Sequence, residues 1–442
     1  MKSFNSAYEF VLNQVKGGTK ANLFALSLFS GAGIGDLGYL EAGFTFIAHS
    51  EKDSKRASLC EDNIPGSVSI AGELRSTTEQ LIETYLKINN RPLDLLSITP
   101  PCQGMSSSNP SRGKVSEPNT SDDRNILLLD SLPIIEKLRP RIIVVENVPQ
   151  LLVRIINIDD SSGKLIDIFK NAIDKDYFVY SRVVQMADYG VPQDRKRAVL
   201  VAIRKDERSI KFLNENNLLP IPRRTHSKQP QEGKQNWISI SQWFKQMNYR
   251  QLDSISKKSA KDIHDPLHFV PVYKNNRYLM ISDIEKNSGQ SAYQNSFCHF
   301  CNRLDVPLET AYCPSCQNPM INRPYVNENG KYRLIKGFKS SYRRMHPNRP
   351  APTVTTASSH IGSDYKIHPD QNRVLSVREC ADLQTIPRYY NWERAFALRN
   401  LYIMRQVIGE ALPPWFTYLH GLVLLQLLNA EKLTESDFDA VG

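Results

Sequence analysis

A single cysteine lies in the stretch LSITPPCQGMSSSN (Leu96–Asn109), directly after two prolines. Leu93–Ile98 is an apolar run of strand length, and Pro100 and Pro101 stop it just before Cys102. That places a thiol on the loop leaving a buried strand, where α/β enzymes carry their chemistry. Cysteine is a strong nucleophile even with a few per cent of thiolate, and a positive surround raises that fraction. Gln103, Gly104 and Ser106–Ser108 mark a polar loop rather than a packed core.

Other residues could complement such a nucleophile. RIIVVENVPQLL sets Glu146 and Asn147 at the end of a second apolar strand, and Val144, Val145 and Val148 favour a desolvated carboxyl that keeps its proton. In ADYGVPQDRKRAVLVAI, Gln193, Arg195 and Arg197 alternate into a strand and share one face. Arginine at that spacing suits an acceptor oxygen or a phosphate. Asp123, Arg124 and Asn125 stand just before a helix, where the first and last also suit a cap. The run Gly31-x-Gly33-x-Gly35-x-x-Gly38 lets backbone approach a ligand and opens a helix N-terminus. Glu51, ending the next strand, can accept hydrogen bonds from ribose hydroxyls. Gly33–Gly38 also satisfies GxGxxG, so a nicotinamide dehydrogenase competes on this motif alone. It leaves Cys102 without a task.

The elements that must hold these residues alternate along residues 1–204. Strands are predicted at Leu23–Ser30, Phe44–Glu51, Val68–Ala71, Leu93–Ile98, Arg141–Glu146, Val179–Gln185 and Arg197–Ile203. Helices are predicted at 5–16, Leu37–Ala42, Lys52–Asn63, Thr78–Lys87, Ile126–Leu138 and Lys164–Ile173. This alternation predicts an α/β fold with a doubly wound, mainly parallel sheet of Rossmann type. From Lys205 onward Pro, Asn, Gln and Lys are frequent and apolar periodicity weakens. Helices return near Ser376–Gln384, Leu398–Ile408 and Pro414–Leu428. The expected division is a catalytic domain over 1–204, a smaller irregular domain over 205–345, and C-terminal helices over 346–442 that pack back on the first.

Charge supports a separate middle domain. Lys205–Pro350 carries 24 Lys+Arg against 12 Asp+Glu, hence +12 of the chain's net +10, leaving −2 elsewhere. A basic segment on a near-neutral chassis points to a polyanion. It also holds Cys298-x-x-Cys301 and Cys313-x-x-Cys316, with eleven residues between the pairs. Paired CxxC knuckles at short separation are the sequence form of one structural zinc on four thiolates. His299 is a spare ligand, while Cys60 and Cys380 lie in helices and read as core. Seven cysteines without a secretory pattern fit a reducing, cytoplasmic setting, and no apolar run is read as a membrane span.

The ordered set FSGAGIGDLG, Glu51, TPPCQGMS, DDRN, ENV, QDRKR, RPAPTVTT and RECADLQ resembles the DNA (cytosine-5) methyltransferases. The likeness covers about 1–204 and 346–425, with a variable region between. It implies S-adenosylmethionine as cofactor and cytosine in double-stranded DNA as substrate. It implies cofactor contacts from Phe29, Ser30, Gly31, Gly33, Gly35, Glu51 and Pro101, with Glu73 where the family usually has Asp near the adenine. Cys102 becomes the nucleophile, Glu146 the acid at the cytosine ring, and Arg195 and Arg197 the lining of the base pocket. Gln103, Asn147 and Gln193 become substrate contacts. Two departures stand out: Met105 replaces a common Phe, and Glu410 in IGEALPP replaces the usual Asn. The expected protein is a monomeric modification enzyme of bacterial, archaeal or phage type, paired with a restriction endonuclease. A tRNA cytosine-5 methyltransferase and a catalytically silent zinc-bearing DNA-binding protein are the alternative readings.

Overall fold

The structure is a computed structural model describing residues 7–11, 23–88, 91–101, 126–158, 161–336, 340–398, 401–430 and 433–441. Its frame is β1 (Leu23–Leu28), α1 (Asp36–Ala42), β2 (Phe44–Glu51), α2 (Ser54–Asn63), β3 (Val68–Ala71), α3 (Leu74–Ile88), β4 (Leu95–Ile98), α4 (Leu132–Leu138), β5 (Ile142–Asn147), α5 (Leu165–Ile173), β6 (Tyr177–Gln185) and β7 (Lys196–Arg204). The seven strands form one sheet in the order β3-β2-β1-β4-β5-β7-β6. All neighbouring pairs are parallel except those of β7, which runs antiparallel to both β5 and β6.

Residue alternation explains why the sheet is covered on both faces. Leu95, Ile142, Val144, Val199, Val201 and Ile203 pack into one core, and Leu96, Ile143, Val145, Leu200 and Ala202 into another. Successive side chains of a strand point to opposite faces, so an unbroken apolar run feeds two cores at once. Leu81, Tyr85, Ile134, Ile135 and Phe169 of α3, α4 and α5 close one side. The other is closed by the C-terminal helices α9 (Val377–Leu383), α10 (Leu401–Glu410) and α11 (Pro414–Asn429), each contributing to that core. Tyr402–Asn429 is long and apolar enough to cross a membrane by composition, yet 67% of its most apolar stretch is buried inside the fold.

Packing runs across residue 205. Before α9 come α6 (Ser209–Glu215), β8 (Leu218–Pro222), α7 (Ile240–Met247) and α8 (Asn276–Ser282). Leu213, Leu219, Ile221, Ile240 and Trp243 belong to the same core as α11. β8 also pairs with β9 (Phe438–Ala440), which ties the chain's last strand to this segment. Conversely, Ile361, Ile367 and Val374 pack with Met280, Ile281, Ile284 and Ala292 of the middle segment. Falling apolar periodicity marked where regular elements thin out, which is not where the cores divide.

One glycine serves this packing rather than a ligand. A Cβ at Gly38 would collide with Thr417 Oγ1, the Pro414 carbonyl and Tyr418 N, so α1 and α11 cross here in backbone contact. Gly38→Ala should therefore cost about 1–3 kcal/mol or more through overpacking. Denaturant unfolding checks this, and an unchanged midpoint at constant slope would mean that the helices do not meet there.

Candidate active site

Carboxyl ends of β1, β2, β4 and β5 lie along one edge, and strand order reverses between β1 and β4. A crevice opens at such a switch point, because the chain leaves neighbouring strands in opposite directions. Phe29, Glu51, Thr99 and Glu146 all stand at this edge because each closes or follows one of those strands.

On the β1–β2 side, Phe29 holds φ 58°, a left-handed conformation uncommon for a side-chain-bearing residue. Neighbours fix it: Thr99 Oγ1 donates to the Phe29 carbonyl at 3.0 Å, and Ser30 N to the Ser50 carbonyl at 3.1 Å. Gly31 is also left-handed at φ 56°, and among the described residues nothing lies within 4 Å of a side chain placed there. Glu51 accepts from Gly31 N and from Asp53 N, both at 2.9 Å. An open backbone cradle beside a strand-end carboxylate fits a nucleoside with a ribose diol, and so fits S-adenosylmethionine. Gly33 differs: a Cβ there would lie 2.8 Å from Cys60 Sγ, so it is needed for packing against α2. Gly35 packs at Leu412, 3.5 Å from a Cβ position. Glu73, on the exposed rim, is ion-paired to Lys52 at 2.7 Å, and that partner holds its carboxyl below the usual range.

Cys102, Gln103 and the Asp123–Asn125 cluster lie outside the described residues. The backbone that delivers them does not. Thr99 N donates to the Leu28 carbonyl at 3.1 Å, and Asn147 Nδ2 to the Pro100 carbonyl at 2.9 Å. Thus Thr99–Pro101 is tied to β1 on one side and to β5 on the other. Asn147 Oδ1 also accepts from Val148 N at 2.7 Å, which gives this side chain a positioning task.

Glu146 is buried, at 6% exposure, and Arg197 Nε lies 2.8 Å from its Oε1. Register brings them together: Glu146 is opposite Val199, so Arg197 is on the same face, one diagonal step along β7. Because β7 is antiparallel, its beginning meets the carboxyl end of β5. Burial pushes the Glu146 carboxyl upward, while Arg197 and Arg195 pull it down. The net shift is upward, as expected for a group able to hold a proton at a desolvated site.

Arg195 and Gln193 have other partners. The fully buried Arg195 guanidinium donates to the carbonyls of Val354 at 3.1 Å, Gly409 at 3.1 Å and Ala411 at 2.8 Å. Gln193 Nε2 donates to Gln384 Oε1 at 2.6 Å, and its Oε1 accepts from Val354 N at 3.0 Å. Gln193 and Arg195 thus clasp the C-terminal segment, and the Arg195 charge pulls the Glu146 carboxyl down. Arg195 stands between two strand segments, Gln193–Asp194 and Lys196–Arg204.

Two charged residues near the site went unnoticed in the sequence. Asp36, in the first turn of α1, is buried and accepts from Ser27 Oγ at 2.7 Å. Burial pushes it up to about 7 against the Ser27 and Ser97 hydrogen bonds. An acid opening a helix reads as an exposed, dipole-favoured residue, so only the packing reveals it. Arg56, in the first turn of α2, pairs with Glu410 at 2.7 Å, and no periodic signal linked residues so far apart.

Away from this edge, the sulfurs of Cys298, Cys301, Cys313 and Cys316 lie within 4.8 Å of one another. Cys298–Cys316 and Cys301–Cys313 are 3.7 and 3.6 Å apart. A zinc–sulfur bond of about 2.3 Å in a tetrahedron sets sulfurs about 3.8 Å apart, so the donor set fits zinc. The two knuckles fold alike: Asn302 N donates to the Cys298 carbonyl and Gln317 N to the Cys313 carbonyl, each at 2.9 Å. Asn302 and Gln317 take the same left-handed turn, at φ 61° and 58°. His299 is held by Asp283 at 2.6 Å, so the spare ligand is engaged elsewhere.

A family model for C-5 cytosine-specific DNA methylase matches residues 24–418. Type II methyltransferase M1.HgaI of Avibacterium volantium is 29% identical over 405 residues, covering 89% of this chain and 96% of the relative. Type II methyltransferase M1.HphI of Haemophilus parahaemolyticus is 26% identical, covering 89% of this chain and 84% of the relative. Among solved structures, a methyltransferase encoded within an Escherichia coli prophage aligns with a TM-score of 0.53 at 19% identity. That alignment covers 93% of this chain and 100% of the other. Its likeness concerns the fold.

Proposed function

The chain belongs to the C-5 cytosine-specific DNA methylase family and is a DNA cytosine-5 methyltransferase, and from that premise we infer how its residues divide the work. The target is a cytosine in double-stranded DNA within a short specific sequence, swung out of the helix for reaction. The observation that carries this reading is the buried Glu146–Arg197 pair beside the doubly tied Thr99–Pro101 segment.

Cytosine carbon 5 is too weak a nucleophile to take a methyl group unaided. Addition of the Cys102 thiolate to carbon 6 turns the ring into an enamine, provided the electron density pushed onto ring nitrogen 3 is stabilised there. Glu146 does so by giving or sharing its proton, and Arg197 orients that carboxyl. S-adenosylmethionine, held by Phe29–Gly31 and Glu51, supplies the methyl group as a sulfonium electrophile. Loss of the carbon-5 proton and expulsion of the thiolate restore the aromatic ring. Attack comes from above the ring plane, so the base has to leave the stack, at a cost of a few kcal/mol that phosphate contacts can offset.

The basic middle segment selects the sequence, and one zinc on the four cysteines holds its shape. Structural zinc contributes directly to folding and binds only deprotonated thiols. Cys298→Ser or Cys313→Ser should lose metal, destabilise this segment and weaken specific DNA binding, while S-adenosylmethionine binding persists. Metal analysis should find about one zinc per chain; a metal-free, fully active preparation refutes the assignment. As with the type II relatives, the proposed setting is a restriction-modification system, with an endonuclease of the same specificity.

Bisulfite sequencing of DNA co-expressed with the protein tests the function as a whole. Protected cytosines in one recurring sequence are expected. Labelled methyl transferred to tRNA and not to duplex DNA would replace this reading.

A further inference from the structure

Glu410, the last residue of α10, is held from two sides. Its carboxylate forms a two-pronged pair with Arg56, Oε2 at 2.7 Å from Nη1 and Oε1 at 3.3 Å from Nη2. Its backbone carbonyl, flanked by those of Gly409 and Ala411, faces the Arg195 guanidinium at 3.4 Å. Arg56 belongs to the turn capped by Asp53, whose side chain accepts from Lys55 N and Arg56 N. Two residues before Asp53 stands Glu51, the acceptor of Gly31 N. Arg195, for its part, stands two residues before Arg197, whose Nε lies 2.8 Å from Glu146 Oε1.

The segment around Glu410 has little room to move. A side chain at Gly409 would collide with the Thr355–Thr356 backbone, so the two strands of chain lie flush. Gln384 Nε2 donates to the Ile408 carbonyl at 3.1 Å and also to that of Ala411. Leu412 packs on Gly35, and Thr417 Oγ1 donates to the Gly35 carbonyl at 2.7 Å. One short segment therefore touches the glycine loop, the helix after Glu51 and Arg195, two residues before the arginine paired with Glu146.

We propose that Glu410 is a positioning residue that couples the cofactor side of the site to the catalytic acid through its pair with Arg56. The pair pins the end of α10, so that Leu412 seats the glycine loop and the 409–411 carbonyls hold Arg195 and, through the same stretch of chain, place the Arg197 that pairs with Glu146. This rests on S-adenosylmethionine binding at Gly31 and Glu51. Burial raises the Glu410 carboxyl and Glu51 and Asp53 raise it further, while Arg56 opposes both. The arginine is thus what keeps a carboxylate tolerable there.

The test compares full-length wild type with Glu410→Gln, Glu410→Asp, Arg56→Gln and the double Gln variant. Calorimetry gives the Kd for S-adenosylmethionine, steady-state methylation gives kcat, and thermal unfolding gives Tm. Glu410→Gln should weaken cofactor binding about tenfold and lower kcat several-fold, the scale of ordinary coupling between sites. Arg56→Gln should do the same, the double variant no worse than either, and Glu410→Asp should recover much of both. A surface ion pair of merely structural value would lower Tm slightly and leave Kd and kcat within about twofold, which overturns the proposal. So would losses that multiply in the double variant. A wild type that binds no S-adenosylmethionine would instead refute the underlying cofactor assignment.

Discussion

Cys102→Ala should abolish methyl transfer while duplex binding stays close to that of wild type. A thiolate is the only protein group the proposed route asks to form a covalent bond. Thr99 and Pro100 remain tied to Phe29 and Asn147 through contacts the substitution does not touch. Loss of a nucleophile of this kind typically lowers turnover by roughly 10⁴–10⁶, leaving only what binding and orientation supply. A labelled-methyl assay measures the loss, and a gel-shift titration shows that binding persists. Retention of more than a trace of activity would sink the covalent route. A duplex carrying 5-fluorocytosine gives the complementary result: wild type should accumulate as a stable protein–DNA adduct, since fluorine at carbon 5 cannot leave as a proton. Cys102→Ala should form none.

Glu146→Gln comes second in expected effect. Glutamine keeps the shape and a hydrogen-bond donor but has no transferable proton, so kcat should fall by roughly 10²–10⁴. Burial raises the Glu146 carboxyl, and its proton therefore persists to higher pH than on an ordinary glutamate. The sign follows. The rate component that needs this proton is present at low pH and is lost as pH rises through the raised value. That alkaline limb should be visible in wild-type kcat and absent in Glu146→Gln. Cofactor affinity should hardly move, because Glu51 and the glycine loop lie across the switch point on β1 and β2. A variant that loses S-adenosylmethionine binding but keeps its chemistry would transfer Glu146 to the cofactor site.

Much of the frame was legible because its signals are local. Phe44–Glu51 and Val68–Ala71 are observed with the expected bounds, and the remaining sheet strands within a few residues. Unbroken apolar runs of strand length alternating with amphipathic helical stretches admit few other arrangements than a doubly wound sheet. The cysteine knuckles were equally plain, since a CxxC turn brings its own two ligands together and only the pairing of two turns depends on the fold.

The sequence by itself determined which residue types stand at strand ends: Glu51, the Pro-Pro-Cys loop, Glu146 and Arg197. Adjacency was decided by the tertiary structure. Arg197 meets Glu146 because β7 enters the sheet antiparallel beside β5, and strand direction is set by pairing partners rather than by local pattern. Gln193 and Arg195 alternate with Arg197 in sequence, yet their partners are Gln384 and the carbonyls of Val354 and Gly409 in the closing segment. Gly38 shares a ligand-loop motif with Gly31, but the crossing of α1 with α11 claims it for helix packing. Burial of Asp36 and the Arg56–Glu410 pair likewise came from elements far apart in the chain. Local periodicity carries information over a turn or a strand; which neighbour a side chain meets depends on how distant segments fill the same space.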